Sequence, residues 1–352
     1  MRDFEYLRPA SVAEAVAAGA RPEAAYLAAG TNLLDLMKGG AARPGLLVDI
    51  TRLPGLDLIE TLADGGVRIG ALVRNADLAH DAGFARRFPA VAEALLSGAS
   101  AQLRNAATAG GNILQRTRCA YFADTASPCN RREAGSGCSA IGGETRLHAV
   151  LGWSEHCIAT HPSDFCVPLA AFDAVVEIEG ADGRRDVPLA DFHCLPGDTP
   201  ARETVLEPGA LIVAVRLPGT AAGFAAHARY LKVRDRMSYA FAVVSAAAGL
   251  RMADGRVAEA RIALGGVAAR PWRAREAEAL LAGAAPDRAA FRRAAEAALE
   301  AARPSGENGY KIELARRVIT RALLLAAAGS PVRMPALPAS FLAPAPGVLQ
   351  HV

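Results

Sequence analysis

Four cysteines lie in and just after a polar, glycine-containing segment of an otherwise alanine-rich chain. Cys119, Cys129 and Cys138 fall within TRCAYFADTASPCNRREAGSGCSA, residues 117–140, and Cys157 follows. The intervals hold nine, eight and eighteen residues, unlike the Cys-x-x-Cys pairs of many ferredoxins and zinc ribbons, so spacing alone selects no metal. Four thiolates suit a [4Fe-4S] cluster or a tetrahedral zinc ion, and disulfides or free thiols are the third alternative.

Other side chains near these cysteines leave the alternatives open. Three histidines could replace a thiolate on zinc: His148, His156 and His161. Four arginines could offset the negative charge of a cluster, although a solvated basic loop explains them equally well: Arg116, Arg118, Arg131 and Arg132. Cys166 and Cys194 have apolar neighbours and are expected to be inert core thiols, with replacement of one ligand by Cys166 or a disulfide between the two as alternatives.

Two glycine-containing turns could hold phosphate groups. They are YLAAGTNLLDL, residues 26–36, and NAATAGGNIL, residues 105–114. Glycine lets the backbone approach a phosphate closely, and a following helix N-terminus adds partial positive charge. Neither turn reads G-x-G-x-x-G or G-x-x-x-x-G-K-[ST], so the sequence predicts neither a Rossmann nor a P-loop site. Taken singly, each is equally explained as an ordinary turn between a strand and a helix.

The elements that position these residues follow a mixed α and β pattern. A capped helix is predicted from Ser11 to Gly19, and a second helix follows the break at Gly30. ARRFPAVAEALLSG, residues 85–98, is predicted as one helix. After the cysteine-rich insert, at about 115–160, alternating apolar residues predict a hairpin and the strand LIVAVRLP.

The pattern restarts at about residue 222. Strands are predicted around a turn at Asp254 and Gly255, followed by two alanine-rich helices ending near Gly329. We therefore predict a cofactor domain over 1–221 and an α+β domain over 222–330. Residues 331–352 hold five prolines and are predicted to lie along partner subunits.

Composition excludes several classes of function. The net charge of the 352-residue chain is +3, too small for a nucleic-acid footprint. No window approaches the ~18 uninterrupted apolar residues of a membrane helix, and the N-terminus lacks the apolar region of a secretory signal. We find no nucleophile elbow and no H-E-x-x-H motif, and His193 is interpreted as structural. These observations leave the chain without an evident site for substrate chemistry of its own.

Four motifs together resemble the FAD-binding subunit of the molybdenum hydroxylases, the xanthine dehydrogenase and aldehyde oxidoreductase family. They are AAGTNLLDLMK, TAGGNI, HPSDF and YLKVRDRMSYAFA, in this order, and the resemblance spans residues 3–328. It implies an α+β, PCMH/VAO-type FAD-binding fold of two subdomains, at about 1–52 and 53–221. A C-terminal α+β domain of the CO dehydrogenase flavoprotein type would follow.

The resemblance also implies a set of FAD contacts. The first turn would wrap the pyrophosphate through Ala28, Ala29, Gly30, Thr31, Asn32 and Leu33, flanked by Tyr26, Leu27 and Leu34. The second phosphate and ribityl contact would come from Thr108, Gly110, Gly111 and Asn112. Asp164 of HPSDF would bind a ribityl hydroxyl, with His161 beside it, and Lys232 would lie near the flavin, although a surface lysine on an edge strand is the alternative. Tyr26 and Tyr230 are equally explained as core residues. Ala29 departs from the usual second glycine and is compatible if its φ is negative.

The cysteine insert resembles a minority branch of this family whose flavin subunit carries an extra [4Fe-4S] cluster. Its cysteine spacing is closest to that of bacterial periplasmic aldehyde oxidoreductases. A cluster is favoured over zinc because the insert abuts the flavin site, where an electron carrier is useful.

The function implied is electron transfer within a heterotrimer. A large molybdenum-cofactor subunit would oxidise the substrate, a small subunit would carry two [2Fe-2S] clusters, and this chain would pass electrons through FAD to an external acceptor. A stand-alone flavoprotein with a structural zinc or disulfide site is the alternative, and a binding module that has lost its flavin is a third. The expected compartment is the periplasm, by export under a partner's signal, or else the cytoplasm.

Overall fold

The computed structural model describes residues 1–332. Its strands are β1 (Glu5–Leu7), β2 (Ala24–Leu27), β3 (Leu46–Asp49), β4 (Ile59–Thr61), β5 (Val67–Gly70), β6 (Val175–Gly180), β7 (Gly183–Pro188), β8 (Leu211–Leu217), β9 (Ala228–Val233), β10 (Val244–Ala253), β11 (Arg256–Gly265) and β12 (Trp272–Arg273). Its helices are α1 (Val12–Gly19), α2 (Leu33–Lys38), α3 (Asn75–His80), α4 (Ala82–Arg87), α5 (Pro89–Ser97), α6 (Ala101–Arg104), α7 (Ala109–Ile113), α8 (Ala120–Ala123), α9 (Cys166–Ala171), α10 (Leu189–Phe192), α11 (Gly219–Ala222), α12 (Arg275–Leu281), α13 (Arg288–Ala297) and α14 (Tyr310–Ala327).

The N-terminal sheet is parallel, with strand order β1-β3-β2. Its central strand β3 is buried along its whole length, as expected for a parallel strand with neighbours on both sides. Helix α1 begins as predicted, because the Glu14 N–H donates to Ser11 Oγ at 3.2 Å and the Glu14 carboxylate accepts from the Ala10 N–H. Strand β2 then leads through the first glycine turn into α2.

The second sheet has five strands in the order β4-β5-β8-β6-β7. The predicted hairpin after the insert is β6 and β7, paired antiparallel, and LIVAVRLP supplies β8. The main core packs against this sheet and includes residues of α5 and α9. The single helix predicted over 85–98 is wrong: α4 ends at Arg87 and α5 begins at Pro89. Proline disfavours helical backbone at the residue before it, and Phe88 has φ −131°.

The C-terminal domain is an antiparallel sheet, β12-β11-β10-β9, covered by α12, α13 and α14. The predicted turn between β10 and β11 is confirmed, with positive φ at both Asp254 and Gly255. The prediction of two helices is wrong, because the segment forms three. The first break contains Gly283, with φ +76°, and Asp287, which caps α13 by accepting from the Ala290 N–H.

The predicted domain boundaries fall between strands. The division near residue 52 lies between β3 and β4, and that near residue 221 lies between β8 and β9. Within residues 1–332, no helix has the length and apolar character needed to cross a bilayer. The predicted proline-rich tail spans residues 331–352. Of these, residues 333–352 lie outside the described residues.

Candidate functional site

The first glycine turn joins β2 to α2. Gly30 has φ +73°, a conformation that disfavours a side chain, and a Cβ there would meet Leu34 at 2.6 Å. Ala29 is not among the residues with positive φ, so its departure from glycine is accommodated without strain. Leu27 and Leu34 pack beside Gly30, which explains why apolar residues flank the turn.

The second glycine turn leads into α7. Thr108 caps this helix, since its Oγ1 accepts from the Gly111 N–H at 3.3 Å. A Cβ on Gly110 would lie 2.9 Å from the Ala71 Cβ, so glycine is required for the close approach to the second sheet. The two turns are linked by the Arg116 N–H, which donates to Asn32 Oδ1 at 3.0 Å.

Both turns border one cavity of about 500 Å³, which we call the turn cavity. The predicted residues on its wall are Tyr26, Ala28, Ala29, Gly30, Thr31, Asn32, Leu33, Thr108, Gly110 and Gly111. The wall does not include Leu27 or Leu34, which support the turn from behind. Tyr26 faces the cavity, but its hydroxyl donates to the Gly209 carbonyl at 2.6 Å, and burial raises its pKa to about 12.

A second cavity of about 550 Å³, the lysine cavity, continues from the first. The two share Thr31, Asn32 and Gly111, and the lysine cavity adds Asn112, Asp164 and Lys232 to its wall. Together they form an elongated space with glycine turns at one end and charged groups at the other. This shape suits an extended dinucleotide whose phosphates lie against the turns.

Asp164 and Lys232 form a buried ion pair in the lysine cavity. Lys232 Nζ lies 2.7 Å from Asp164 Oδ2, and the Tyr230 hydroxyl donates to Asp164 Oδ1 at 2.5 Å. Burial and the neighbouring carboxylate raise the pKa of Tyr230 well above its usual value. Lys232 lies on the edge strand β9, but its side chain is only 2% exposed, so the surface-lysine alternative is wrong. A hydrogen bond from a ribityl hydroxyl to the remaining lone pairs of the Asp164 carboxylate stays a prediction.

The four insert cysteines surround one small cavity, the thiol cavity. Cys119 directly precedes α8. The backbones of Cys129 and Cys138 pair in an isolated antiparallel β-bridge, and Cys157 lies on the same cavity wall. All four line the thiol cavity, and Arg131 is the one charged side chain on its described wall. All six cysteines, each within the described part of the chain, are free thiols. The sequence segment is irregular, yet the fold brings its thiols together.

The spacing of these thiols is wider than a single ion needs. Four ligands at ~2.3 Å from one zinc ion lie roughly 3.8 Å from each other. Within residues 1–332, three ligand atoms come within 4.8 Å of one another only at His161, Cys166 and His193. A four-iron cluster takes one thiolate at each iron and therefore spreads its ligands farther.

The electrostatics of the thiol cavity keep its thiols protonated unless a metal replaces the protons. Burial raises the pKa of Cys119 to about 11, with the neighbouring thiols adding to the effect, and burial raises that of Cys138. Such thiols ionise when a metal centre replaces the proton. His148 Nε2 is 3.2 Å from Cys119 Sγ, while His148 Nδ1 is buried without a partner. His156 is instead exposed beside Asp198.

A third cavity of about 500 Å³, the bridging cavity, lies between the thiol and lysine cavities. Cys119 and His148 border it on one side, and Asp164 and Phe241 on the other. Arg118 lies 4.9 Å from the centre of the Phe241 ring. The thiols and the predicted flavin contacts are therefore neighbours across a single space.

His161 faces the bridging cavity and does not line the lysine cavity. Its ring lies 4.3 Å from that of His193, and Cys166 completes the buried group. His193 Nε2 contacts the Ile113 carbonyl at 2.9 Å, which assigns its proton to Nε2 and leaves Nδ1 as an acceptor. Burial lowers the pKa of both histidines, to about 4 for His193. Both imidazoles are therefore neutral, and His161 Nε2 and His193 Nδ1 are buried without a partner in the described chain.

Residues from distant parts of the chain complete the insert. Glu203 pairs with Arg131 at 2.7 Å, and Lys311 donates to the carbonyls of Leu147 and His148. Asn308 donates to the His148 and Ala149 carbonyls. Sequence reasoning missed Glu203, Asn308 and Lys311, because no local motif surrounds them.

Comparison with known families agrees with this geometry. Residues 2–220 match the family model described as FAD binding domain in molybdopterin dehydrogenase. Residues 229–326 match the CO dehydrogenase flavoprotein C-terminal domain.

Individual relatives cover almost the whole chain. The aldehyde oxidoreductase FAD-binding subunit PaoB of Escherichia coli is 50% identical, over 92% of this chain and 98% of that protein. The carbon monoxide dehydrogenase medium chain of Hydrogenophaga pseudoflava is 30% identical, over 91% and 96%. A solved structure of carbon monoxide dehydrogenase from H. pseudoflava matches with a TM-score of 0.73 and 32% identity, covering 93% of this chain and 98% of that one. Quinoline 2-oxidoreductase from Pseudomonas putida 86 matches with a TM-score of 0.70 and 28% identity, covering 92% and 97%.

Proposed function

Because this chain belongs to the FAD-binding medium subunits of the molybdenum hydroxylases, we propose that it is the FAD- and [4Fe-4S]-binding electron-transfer subunit of an aldehyde oxidoreductase. The observation that carries the proposal is the convergence of Cys119, Cys129, Cys138 and Cys157 on one cavity. That cavity adjoins the predicted flavin site through the bridging cavity. The 50% identity to a subunit named for aldehyde oxidoreduction supports the substrate class.

The residues present offer the donor atoms that both groups need. The elongated turn and lysine cavities provide backbone donors for phosphates, and the buried Lys232 supplies positive charge where reduced flavin is anionic. The thiol cavity offers four sulfur ligands at a spacing wider than zinc requires. FAD supplies two-electron and one-electron chemistry, and a cluster supplies one-electron chemistry.

The role of the chain is therefore to position FAD and the cluster. The glycine turns hold the phosphates and the insert holds the thiolates. The neutral histidine pair contacts α7, which carries Gly110 and Gly111, through the Ile113 carbonyl. Arg118, Phe241 and residues of β10 and β11 line the bridging cavity between the two sites.

The proposed complex has three kinds of subunit. A large subunit would carry the molybdenum cofactor and oxidise the aldehyde, and a small subunit would carry two [2Fe-2S] clusters. This chain would receive electrons from them and deliver them through FAD to an external acceptor. The support is family membership, since the carbon monoxide dehydrogenase relatives are named as medium chains.

The test is iron, zinc, acid-labile sulfide and FAD content of the anaerobically purified full chain, together with any subunits that co-purify. Cys119, Cys129, Cys138 and Cys157 are each changed to serine, and Cys194→Ser is the matched control outside the thiol cavity. We expect each of the four variants to lose about four irons and four sulfides per FAD relative to wild type, because each thiolate holds one iron. C194S should keep them.

Measuring the loss as a difference removes the contribution of partner clusters. One zinc per chain, or iron content that none of the four variants changes, would contradict the cluster. Either result would return the insert to the structural role of the alternative.

A further inference from the structure

We infer that Arg131 raises the reduction potential of the proposed cluster by donating a hydrogen bond from Nε to a cluster or cysteine sulfur, and that Glu203 opposes this effect. The inference rests on the proposed function, because it concerns the group held by the four thiolates. It assigns a tuning role to two residues that are not ligands.

The position of Arg131 is unusual for an arginine. It lies between Cys129 and Cys138 in sequence, and it is the one charged residue on the described wall of the thiol cavity. Arg131 is 5% exposed, and burying an arginine requires compensating partners. A solvated basic loop, the simpler interpretation of the arginines in this segment, therefore does not describe Arg131.

The partners of Arg131 account for only part of its guanidinium. NH1 donates to Glu203 Oε2 at 2.7 Å, whereas the buried Nε–H has no acceptor in the described chain. An unsatisfied buried donor is costly, so such a group is expected to meet a ligand. A cluster in the adjoining cavity would offer sulfur acceptors there, and the Cys157 side chain is already a hydrogen-bonding neighbour of the Arg131 guanidinium.

Glu203 is shared by two arginines. Its Oε1 accepts from Arg116 Nε at 2.5 Å, and Arg116 NH2 donates to the Arg131 carbonyl at 3.1 Å. Arg116 also donates its backbone N–H to Asn32 in the first glycine turn. The same polar network thus connects the phosphate turn, Glu203 and the thiol cavity.

The sign of each effect follows from charge. Reduction adds one negative charge to a cluster, and a nearby cation stabilises the reduced form, especially where water is excluded. Hydrogen bonds to cluster sulfurs act in the same direction. The carboxylate of Glu203 opposes both and partly cancels the charge of Arg131. Removing the arginine should lower the potential, and removing the carboxylate charge should raise it.

The experiment is a redox titration of the full chain in its complex, following the cluster by EPR in Arg131→Met, Arg131→Lys and Glu203→Gln. Iron and sulfide are measured in each sample. Arg132→Lys is the matched control, because Arg132 donates to the backbone carbonyls of Tyr121 and Phe122. We expect a lower midpoint potential in R131M, a smaller decrease in R131K, a higher one in E203Q and no change in R132K.

Opposite shifts distinguish tuning from folding, since mere loosening of the loop would change R131M and E203Q in the same direction. If R131M loses its iron, R131K decides: a lower potential at full iron supports the inference. A wild-type potential in R131K or R131M at full iron, or shifts of equal sign in R131M and E203Q, would overturn it. Wild-type protein without iron would instead refute the proposed function.

Discussion

The glycine turns and the cysteine insert differ in the groups that they present to their cavities. The turns use backbone: Gly30 and Gly110 have almost no room for a Cβ, and the flanking side chains pack beneath them. The insert uses side chains, because its four thiols and Arg131 converge from irregular loops on one cavity. A backbone site depends on local conformation, whereas a side-chain site depends on the contacts that hold its loops.

The C-terminal domain contacts each of the two regions through a different buried lysine. Lys232 reaches the flavin side and pairs with the carboxylate of Asp164. Lys311 reaches the insert side and finds only carbonyl oxygens, those of Leu147, His148 and Gly266. The difference predicts distinct responses to mutation and to pH.

The largest effect on FAD content should come from Gly30→Ala. Alanine at φ +73° costs roughly 1–2 kcal/mol, and its Cβ would displace Leu34 beneath the turn. We expect G30A to lose most of its FAD while keeping the iron of the insert. The measurement is the ratio of FAD to iron in the purified protein.

Ala29→Gly is the control for the same turn. Ala29 already has a permitted φ, so A29G should retain FAD at the wild-type ratio. Equal losses of FAD and iron in G30A would show that the two sites do not fold independently.

The largest loss of stability from a single substitution is expected from Asp164→Asn. The variant leaves the ammonium of Lys232 buried without its charge partner, which costs about 3–5 kcal/mol. Glu313→Gln breaks a pair on the exposed face of α14 and should cost far less, because solvent screens an exposed pair. Urea unfolding of both variants compares them, and similar midpoints would argue against a buried pair.

A third effect concerns pH and Lys311. Burial lowers the pKa of Lys311 to about 7, whereas an unfolded lysine titrates near 10.4. Between these values the unfolded chain binds the proton and the folded chain does not. Stability should therefore fall by up to about 1.4 kcal/mol per unit as pH drops from about 10 to 7, and level off below.

Lys311→Met should remove this dependence, and Lys38→Met, at an exposed position of α2, should preserve it. The check is the difference in unfolding free energy between each variant and wild type at pH 7, 8 and 9. A constant difference for K311M across this range would contradict the assignment.

Local features of the fold were predictable from the sequence. The Ser11 cap, the break at Gly30 and the Asp254–Gly255 turn are encoded by neighbouring residues, and the structure has all three. The separation of α4 from α5 at Pro89 was missed, although the proline itself is the signal. The break between α12 and α13 was missed, although Gly283 and the Asp287 cap are its local signals.

The candidate site likewise contains residues that the sequence indicated and residues that it did not. Residue type alone pointed to the cysteines, and short motifs pointed to the glycine turns. Arg131 pairs with Glu203, which lies 72 positions away in the sequence. Lys311 contacts carbonyls of the insert that lie 163 or more positions away. Such contacts are set by tertiary packing, which leaves no mark in a local pattern.

The most direct measurement of the central claim is EPR of the dithionite-reduced full chain in its complex, wild type against Cys129→Ser, with FAD content measured in parallel. We predict that wild type shows an additional reduced-cluster signal of about one spin per FAD, which C129S lacks although its flavin still bleaches. Identical spectra in the two proteins, at equal FAD content, would contradict a cluster in the insert.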